Sequence, residues 1–472
     1  MPRSLFWRSS AEGLNKFVAD QTPLPSHNVC AVQDAMNGLP GMVGSGMPET
    51  FELKRLLTYI KSVMSKYQRS VVIPAEIGIL MDKIEGAQTK LDGSGYKDED
   101  SLKLDVPKEL FNYWDAVATA RENYRASVRL NFSGATRELS AQQVSVTFER
   151  WLREIELGIA RAQLVGTHGN EGISNLTPTY FSYDIVHWKL NGKQSHEGLP
   201  LVNATAMRVD VFALFLEGPV RMMRTVPSEE TLAIYNNVKK SGLRDEQLKM
   251  YTMSASLAGQ SMDMGRMMAF SPGWLENQSV WLHLSYKYYL ELLRSRLYDQ
   301  FYDEMTSGGM LPFMNATIYG RSLLECSSFI ASSAFADPSV RGRGFLARLS
   351  GSTAEFLSMW IIMFIGPKPF LVDENNELSM QLVPALPFWL FEGQDAAEWS
   401  GKEPKLSFRL FGSIHVTYHN PERKDLFDVK PKKYLVRYRD GSTVLITGPV
   451  ISGDIARKIR GQLLIDGIDA FF

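Results

Sequence analysis

Near Pro367 the period of the apolar residues changes, and that change divides the chain. Before it, Leu53, Leu56, Leu57, Ile60 and Met64 recur at the spacing of one helix face. Pro48 and Glu49 suit the first turn of that helix, where a missing N–H is harmless and a negative charge meets the helix dipole. The same period covers residues 108–124, 141–164, 207–224, 280–302 and 352–364. After Pro367 the period is two. Leu406, Phe408 and Leu410 alternate with polar residues, as do Ile414, Val416 and Tyr418. Tyr434, Val436 and Tyr438 lead to Asp440-Gly441, a two-residue hairpin signal, and then to Val444 and Ile446. The expectation is a mainly helical region over 1–366 and an antiparallel, β-sandwich-like domain over 367–472. Residues 85–106 and 170–200 read as loops, the second of a length that often lines a site.

Composition narrows the function classes. The chain has 472 residues, 44% of them hydrophobic, which is enough for a large core and excludes general disorder. Lys+Arg number 51 and Asp+Glu 52. That balance provides no basic field of the kind that binds nucleic acid. The longest apolar run, 356–366, is too short to cross a bilayer, so no membrane role is expected. Two cysteines, Cys30 and Cys326, make no disulfide framework, and a reduced, cytoplasmic setting is expected.

Three stretches combine glycine, hydroxyl, charged and aromatic residues. In the first, Asp34 stands before the turn-forming Asn37-Gly38-Leu39-Pro40-Gly41; an aspartate there is commonly only a turn or cap residue. In the second, Pro272-Gly273-Trp274 leads through Glu276 and Asn277 to His283 at the head of an apolar helix. Such a histidine either is hydrogen-bonded in the core or contacts an anion or a sugar. In the third, Arg341, Arg343 and Arg348 precede Ser350-Gly351-Ser352, just before a helix. Free backbone N–H groups and the helix dipole there suit a phosphate, although Ser352 and Glu355 also read as an ordinary capping box. Zinc patterns, a P-loop, a Gly-x-Ser-x-Gly elbow and a dinucleotide fingerprint are all absent.

Taken in order, these stretches resemble the inverting glycoside phosphorylases of the cellobiose phosphorylase type, and more closely the β-1,3-oligoglucan phosphorylases of that wider group. The family's Trp-Asn-Asp motif corresponds to Val32-Gln33-Asp34. Its Lys-Glu-Asn…His segment corresponds to Leu275-Glu276-Asn277…His283, and its Thr-Gly pair to Ser350-Gly351. Runs such as Phe215-Leu216-Glu217-Gly218-Pro219 and Tyr319-Gly320-Arg321-Ser322-Leu323-Leu324-Glu325 also look familiar. The resemblance implies a glycosyltransferase that breaks a β-glucan, β-1,3-linked by preference, with inorganic phosphate as co-substrate and no metal or organic cofactor. Asp34 would be the general acid. His283, Ser350 and Gly351 would hold phosphate, and Glu276, Asn277, Glu325 and Arg343 would contact sugar. It implies the C-terminal part of an (α/α)6 barrel over 1–366, partners limited to oligosaccharide and phosphate, and a homodimer as a candidate assembly.

The departures carry alternatives. Val32 and Gln33 replace the tryptophan and asparagine beside the acid, and Leu275 replaces a sugar-contacting lysine. In the family the catalytic aspartate lies deep in the chain, so the resemblance implies a fragment of a longer enzyme with little turnover by itself. Cellobiose phosphorylase activity is one alternative. A non-catalytic carbohydrate-binding remnant is another, and a glucoamylase-like hydrolase a third.

Overall fold

The computed structural model describes residues 44–96, 105–169, 176–323, 326–347, 352–391, 404–461 and 464–472. The chain divides into two compact units, Met1–Tyr288 with Ser307–Leu349, and Tyr289–Thr306 with Ser350–Phe472.

The described part of the first unit opens with a short strand, β1 (Gly44–Gly46), and helix α1 (Pro48–Tyr67). Pro48 occupies the first turn of α1, Glu49 follows it, and Gln68 closes the helix in a left-handed conformation at φ 49°. Phe51, Leu53, Leu57 and Met64 face inward. Strand β2 (Val71–Pro74) pairs antiparallel with β3 (Thr136–Leu139), and between them run α2 (Ala75–Asp92) and α3 (Lys108–Ser127), packed on one another. Helix α4 (Ala141–Gly169) packs on α1. A reciprocal capping box starts α4. The Gln143 N–H donates to Ser140 Oγ at 3.2 Å, and the Ser140 N–H donates to Gln143 Oε1 at 2.9 Å.

Strand then takes over where helix and loop were expected. β4 (Tyr180–Gln194) and β5 (Pro200–Val211) form a long antiparallel ribbon, with β1 paired only to residues 180–182. After it come a short helix, α5 (Glu217–Met223), and a three-stranded sheet made from β6 (Val280–Trp281), β7 (Ser327–Ile330) and β8 (Gly344–Ala347), with β7 in the middle. Helix α6 (Leu282–Arg294) continues directly from β6.

The second unit centres on a five-stranded sheet. Its strands are β9 (Lys405–Leu410), β10 (Ile414–His419), β11 (Lys433–Tyr438), β12 (Thr443–Thr447) and β13 (Ile465–Phe471), in the order β9-β10-β13-β11-β12. Val416, Tyr418, Tyr434, Val436, Ile468 and Ala470 are fully buried in it. Helix α7 (Ser352–Phe364) is held to it through the Tyr418 hydroxyl, which donates to the Phe364 carbonyl, and by the Phe364–Phe408 ring pair. Helix α8 (Gly453–Gly461) precedes β13.

The expected fold class is corrected at three points. Among the described residues helix makes up 43% and strand 25%, in several small sheets, and these residues form no (α/α)6 barrel. The physical reason lies in 180–211. Its Tyr, Ile, Val, Trp and Thr residues favour the pleated backbone, and glycines at 192 and 198 with positive φ let the ribbon turn back. The helical spacing noted over 207–224 is divided between the end of β5 and α5. The C-terminal sheet, finally, is mixed rather than wholly antiparallel, because β13 lies parallel to β10 and antiparallel to β11.

Candidate functional site

The turn that precedes β6 is built on Gly273. Its φ is +81°, and a Cβ there would lie 2.3 Å from the Phe335 nitrogen, so only glycine fits. The Gly273 N–H donates to the Asn277 carbonyl at 2.9 Å, and the Asn277 N–H donates to the Trp274 carbonyl at 3.1 Å. Trp274 is gripped by Phe329, Phe335 and Phe345, with ring centroids 4.7 to 5.2 Å away. Two non-glycine residues of the turn, Leu275 and Gln278, hold φ at 47° and 55°. That backbone is secured from outside. The Leu275 carbonyl accepts from Trp281 Nε1 at 2.9 Å and from the Ser279 hydroxyl, while Ser332 Oγ donates to the Gln278 carbonyl at 2.6 Å. Strain of this kind persists only where surrounding contacts over-determine it.

The secured turn presents Glu276, Asn277 and His283. Glu276 Oε1 receives Arg266 Nη2 at 3.2 Å, and its Oε2 is buried with no hydrogen-bond partner. Asn277 Nδ2 donates to the Phe270 carbonyl at 2.7 Å, and its Oδ1 is likewise buried and unmatched. His283 is the second residue of α6, with its ring edge-on to Trp281 at 5.7 Å. Its Nδ1 is buried without a partner. Burial, and then the nearby Lys287 ammonium, push its pKa down to about 4, so the ring is neutral at pH 7. Unmatched buried acceptors are uncommon in a finished core and need an explanation.

Arg343 joins this segment through the sheet. Val280 pairs with Ile330 and Ile330 with Gly344, and Arg343, the residue just before β8, continues the ladder by accepting the Ala331 N–H at its carbonyl. Its side chain is exposed, and Nε donates to the Ser339 carbonyl at 2.8 Å. Asp34, Glu325, Ser350 and Gly351 lie outside the described residues.

Two contributors were not legible in sequence. Arg266 holds Glu276 but stands ten positions away at the start of a single 3-10 turn, with no period linking the two. Asp245 is buried and fastens the chain just after β7, receiving the Ser333 N–H at 2.6 Å, the Ser333 hydroxyl at 2.8 Å and the N–H groups of Gln247 and Leu248. An Asp followed by polar residues was a turn signal, but its second partner is 88 positions on.

Elsewhere in this unit, a cleft of about 300 Å³ is lined by Asp82, Glu85, Arg137 and Gln143, and one of about 340 Å³ by Ile79, Leu80, Thr119 and Tyr124. Neither includes a residue of the 273–283 segment. Among the described residues no group of His, Cys, Asp and Glu could hold a metal ion, and no helix is long and apolar enough to cross a membrane. No family model matches the chain, and no curated protein matches it either.

Proposed function

We propose that the chain binds an oligosaccharide and inorganic phosphate and belongs to an inverting glycoside phosphorylase that acts on a β-glucan, β-1,3-linked by preference. One observation carries the reading. Glu276 Oε2, Asn277 Oδ1 and His283 Nδ1 are buried and unmatched on a single rigid turn-strand-helix segment. Two of the three are pure acceptors, which suit sugar hydroxyl donors. The neutral imidazole has one nitrogen able to donate to an anion. The order Asp34, Glu276-Asn277, His283, Ser350-Gly351 along the chain supports the same reading.

In this mechanism Asp34 protonates the glycosidic oxygen. Phosphate held by His283 and Ser350-Gly351 attacks the anomeric carbon from the opposite face and inverts it. Phosphate replaces the base-activated water of an inverting hydrolase, so one protein carboxylic acid is enough. The products are an α-configured sugar 1-phosphate and a shortened glucan. A cytoplasmic setting, where phosphate and reduced thiols coexist, fits this chemistry. The runner-up, a binding protein without turnover, is favoured by Val32 and Gln33 beside Asp34.

The test is calorimetric titration of phosphate and of laminari-oligosaccharides, followed by assay of glucose 1-phosphate release. His283→Ala is expected to weaken phosphate binding, and Asp34→Asn to leave binding intact while removing about 10²- to 10⁴-fold of any turnover. Oligosaccharide binding without phosphate binding selects the runner-up. Binding of neither ligand refutes both readings.

A further inference from the structure

A second set of buried polar groups lies at the start of α5, outside the 273–283 segment. Glu217, the first residue of α5, is 1% exposed. Its Oε1 receives Arg221 Nη2 at 3.2 Å, while its Oε2 is buried and unmatched. Arg221 Nη1 donates to Glu52 Oε1 at 2.7 Å, and Arg224 Nη1 reaches the same oxygen at 2.6 Å. Arg221 Nε is buried and unmatched, as is Thr50 Oγ1 in the first turn of α1. Burial, and then the Glu217 and Glu49 carboxylates nearby, push the Tyr180 hydroxyl well above its ordinary pKa, so it stays protonated. A purely structural ion network closes on itself. This one leaves an acceptor and a donor open on two residues that are already paired.

Two routes join this set to the 273–283 segment. The first is backbone. The Leu216 N–H donates to the Met253 carbonyl at 2.9 Å, and the Met253 N–H donates to the Ser279 carbonyl at 2.8 Å. Phe215 bridges to Ser254, whose Oγ accepts the Gln278 N–H at 3.0 Å. Residues 214–216, 253–255 and 278–279 therefore run side by side, and the backbone just before Glu217 lies two strand spacings, about 10 Å, from the site segment. The second route is the core. Tyr180 and Phe215 share one buried cluster with Met264 and Met267, and these two methionines flank Arg266, which holds Glu276. The start of α5 is fixed as firmly. The Gly218 N–H donates to Thr179 Oγ1 at 2.8 Å, and a Cβ on Gly218 would lie 2.6 Å from that oxygen, so only glycine allows the approach.

We propose that Glu217 Oε2 and Arg221 Nε form a second sugar-binding locus, so that an oligosaccharide meets Glu276 and Asn277 with one ring and this pair with another. The inference rests on the carbohydrate reading above and adds a subsite to it. The chemistry selects a sugar. A carboxylate oxygen beside a guanidinium N–H matches adjacent ring hydroxyls, each of which both donates and accepts. Phosphate is disfavoured, because Glu52 and Glu217 already offset Arg221 and Arg224, and Glu49 adds a further negative charge beside Tyr180. Two strand spacings exceed the span of one ring, so a single sugar does not serve both loci.

The experiment is calorimetric titration of the full chain with glucose, laminaripentaose and phosphate. The unaltered chain should bind the pentaose at least about tenfold more tightly than glucose, because two loci are engaged. Glu217→Gln keeps the shape and loses the charge, and Arg221→Lys keeps the charge and loses the Nε–H. Each should cut pentaose affinity by about tenfold and leave phosphate affinity unchanged. Glu52→Gln weakens the ion network but spares both proposed contacts. It should lower the melting midpoint while pentaose affinity stays within about twofold. A measurement without any variant stands beside these: the pentaose should slow amide exchange over 217–223 as well as 273–283. Unchanged pentaose affinity in a folded Glu217→Gln or Arg221→Lys chain, an equal loss in Glu52→Gln, pentaose binding no tighter than glucose, or no slowing over 217–223 overturns the subsite and leaves the carbohydrate reading standing. An unaltered chain that binds no sugar overturns both.

Discussion

The C-terminal sheet and the 273–283 segment of the first unit treat buried polar groups in opposite ways. In the sheet they are matched. Asp469 Oδ1 meets His419 Nε2 at 2.8 Å and its Oδ2 meets Arg437 Nη1, so one carboxylate serves a ring and a guanidinium on the two neighbouring strands. Asn420 Nδ2 donates to the Lys424 carbonyl at 2.7 Å. In the 273–283 segment Glu276, Asn277 and His283 each keep an unmatched buried atom. A matched set holds strands in place. An unmatched set gathered on one short, well-secured segment offers acceptors to a ligand, which is what makes this segment the candidate site.

The largest effect should come from breaking the matched set. Asp469→Ala leaves the buried His419 and the partly exposed Arg437 without their carboxylate. Breaking a buried pair this way typically costs about 3 kcal/mol, read as a fall in the denaturant midpoint. A loss no greater than that of an ordinary surface substitution would remove the contrast between the two regions.

The unmatched set should show itself through pH. Folding holds His283 neutral with a pKa near 4, against 6.5 in its ordinary state. The unfolded chain therefore binds the extra proton between those values. This contribution to stability is complete above pH 6.5 and is lost as the pH falls toward 4. By pH 4.5 the loss is on the order of 2 kcal/mol. Denaturant midpoints at several pH values should fall less for His283→Gln than for the unaltered chain. Parallel pH profiles would mean that the ring is not desolvated.

The smallest effect compares the two hairpin turns. Gly441 at φ +86° and Gly198 at φ +81° both occupy conformations that a Cβ disfavours. Alanine at either should cost roughly 1 kcal/mol locally. At 441 the loss should appear in global unfolding, because the hairpin pairs β12 with β11, whose Tyr434 and Val436 are buried in the five-stranded sheet. At 198 it should appear mainly as faster amide exchange in the ribbon, whose opening does not require the core to unfold. Equal global losses would show the ribbon to be part of the cooperative core.

The sequence located several elements well, and the reason is local. α1, α3, α4 and α7 combine a helical apolar stripe with terminal signals such as Pro48 and the Ser140–Gln143 box, all within a few residues. Asp440-Gly441 marked a hairpin, but the turn itself is longer than expected. The Gly441 N–H donates to the Tyr438 carbonyl, and the Tyr438 N–H donates to the Ser442 carbonyl, so the loop holds Arg439, Asp440 and Gly441 with glycine in the left-handed position. Period alone misled over 207–224, where apolar spacing compatible with a helix is shared between a strand and a short helix.

Glu276, Asn277 and His283 could be singled out as residue types, because their spacing is written in the chain. Tertiary structure alone decided that three of their polar atoms would be buried and unmatched. That outcome depends on Arg266, Ser332 and the Trp274 cage, contacts that periodicity does not encode. The same holds for strand order. Alternation over Ile414, Val416 and Tyr418 specifies one strand with a buried face, and no period-two pattern marks the other at 465–471. Their parallel pairing, with β13 between β10 and β11, is fixed by hydrogen bonds and by the Asp469 contacts across some 50 residues of chain. Period and capping are local properties of sequence, whereas partner choice is settled by which distant groups satisfy one another once water is excluded.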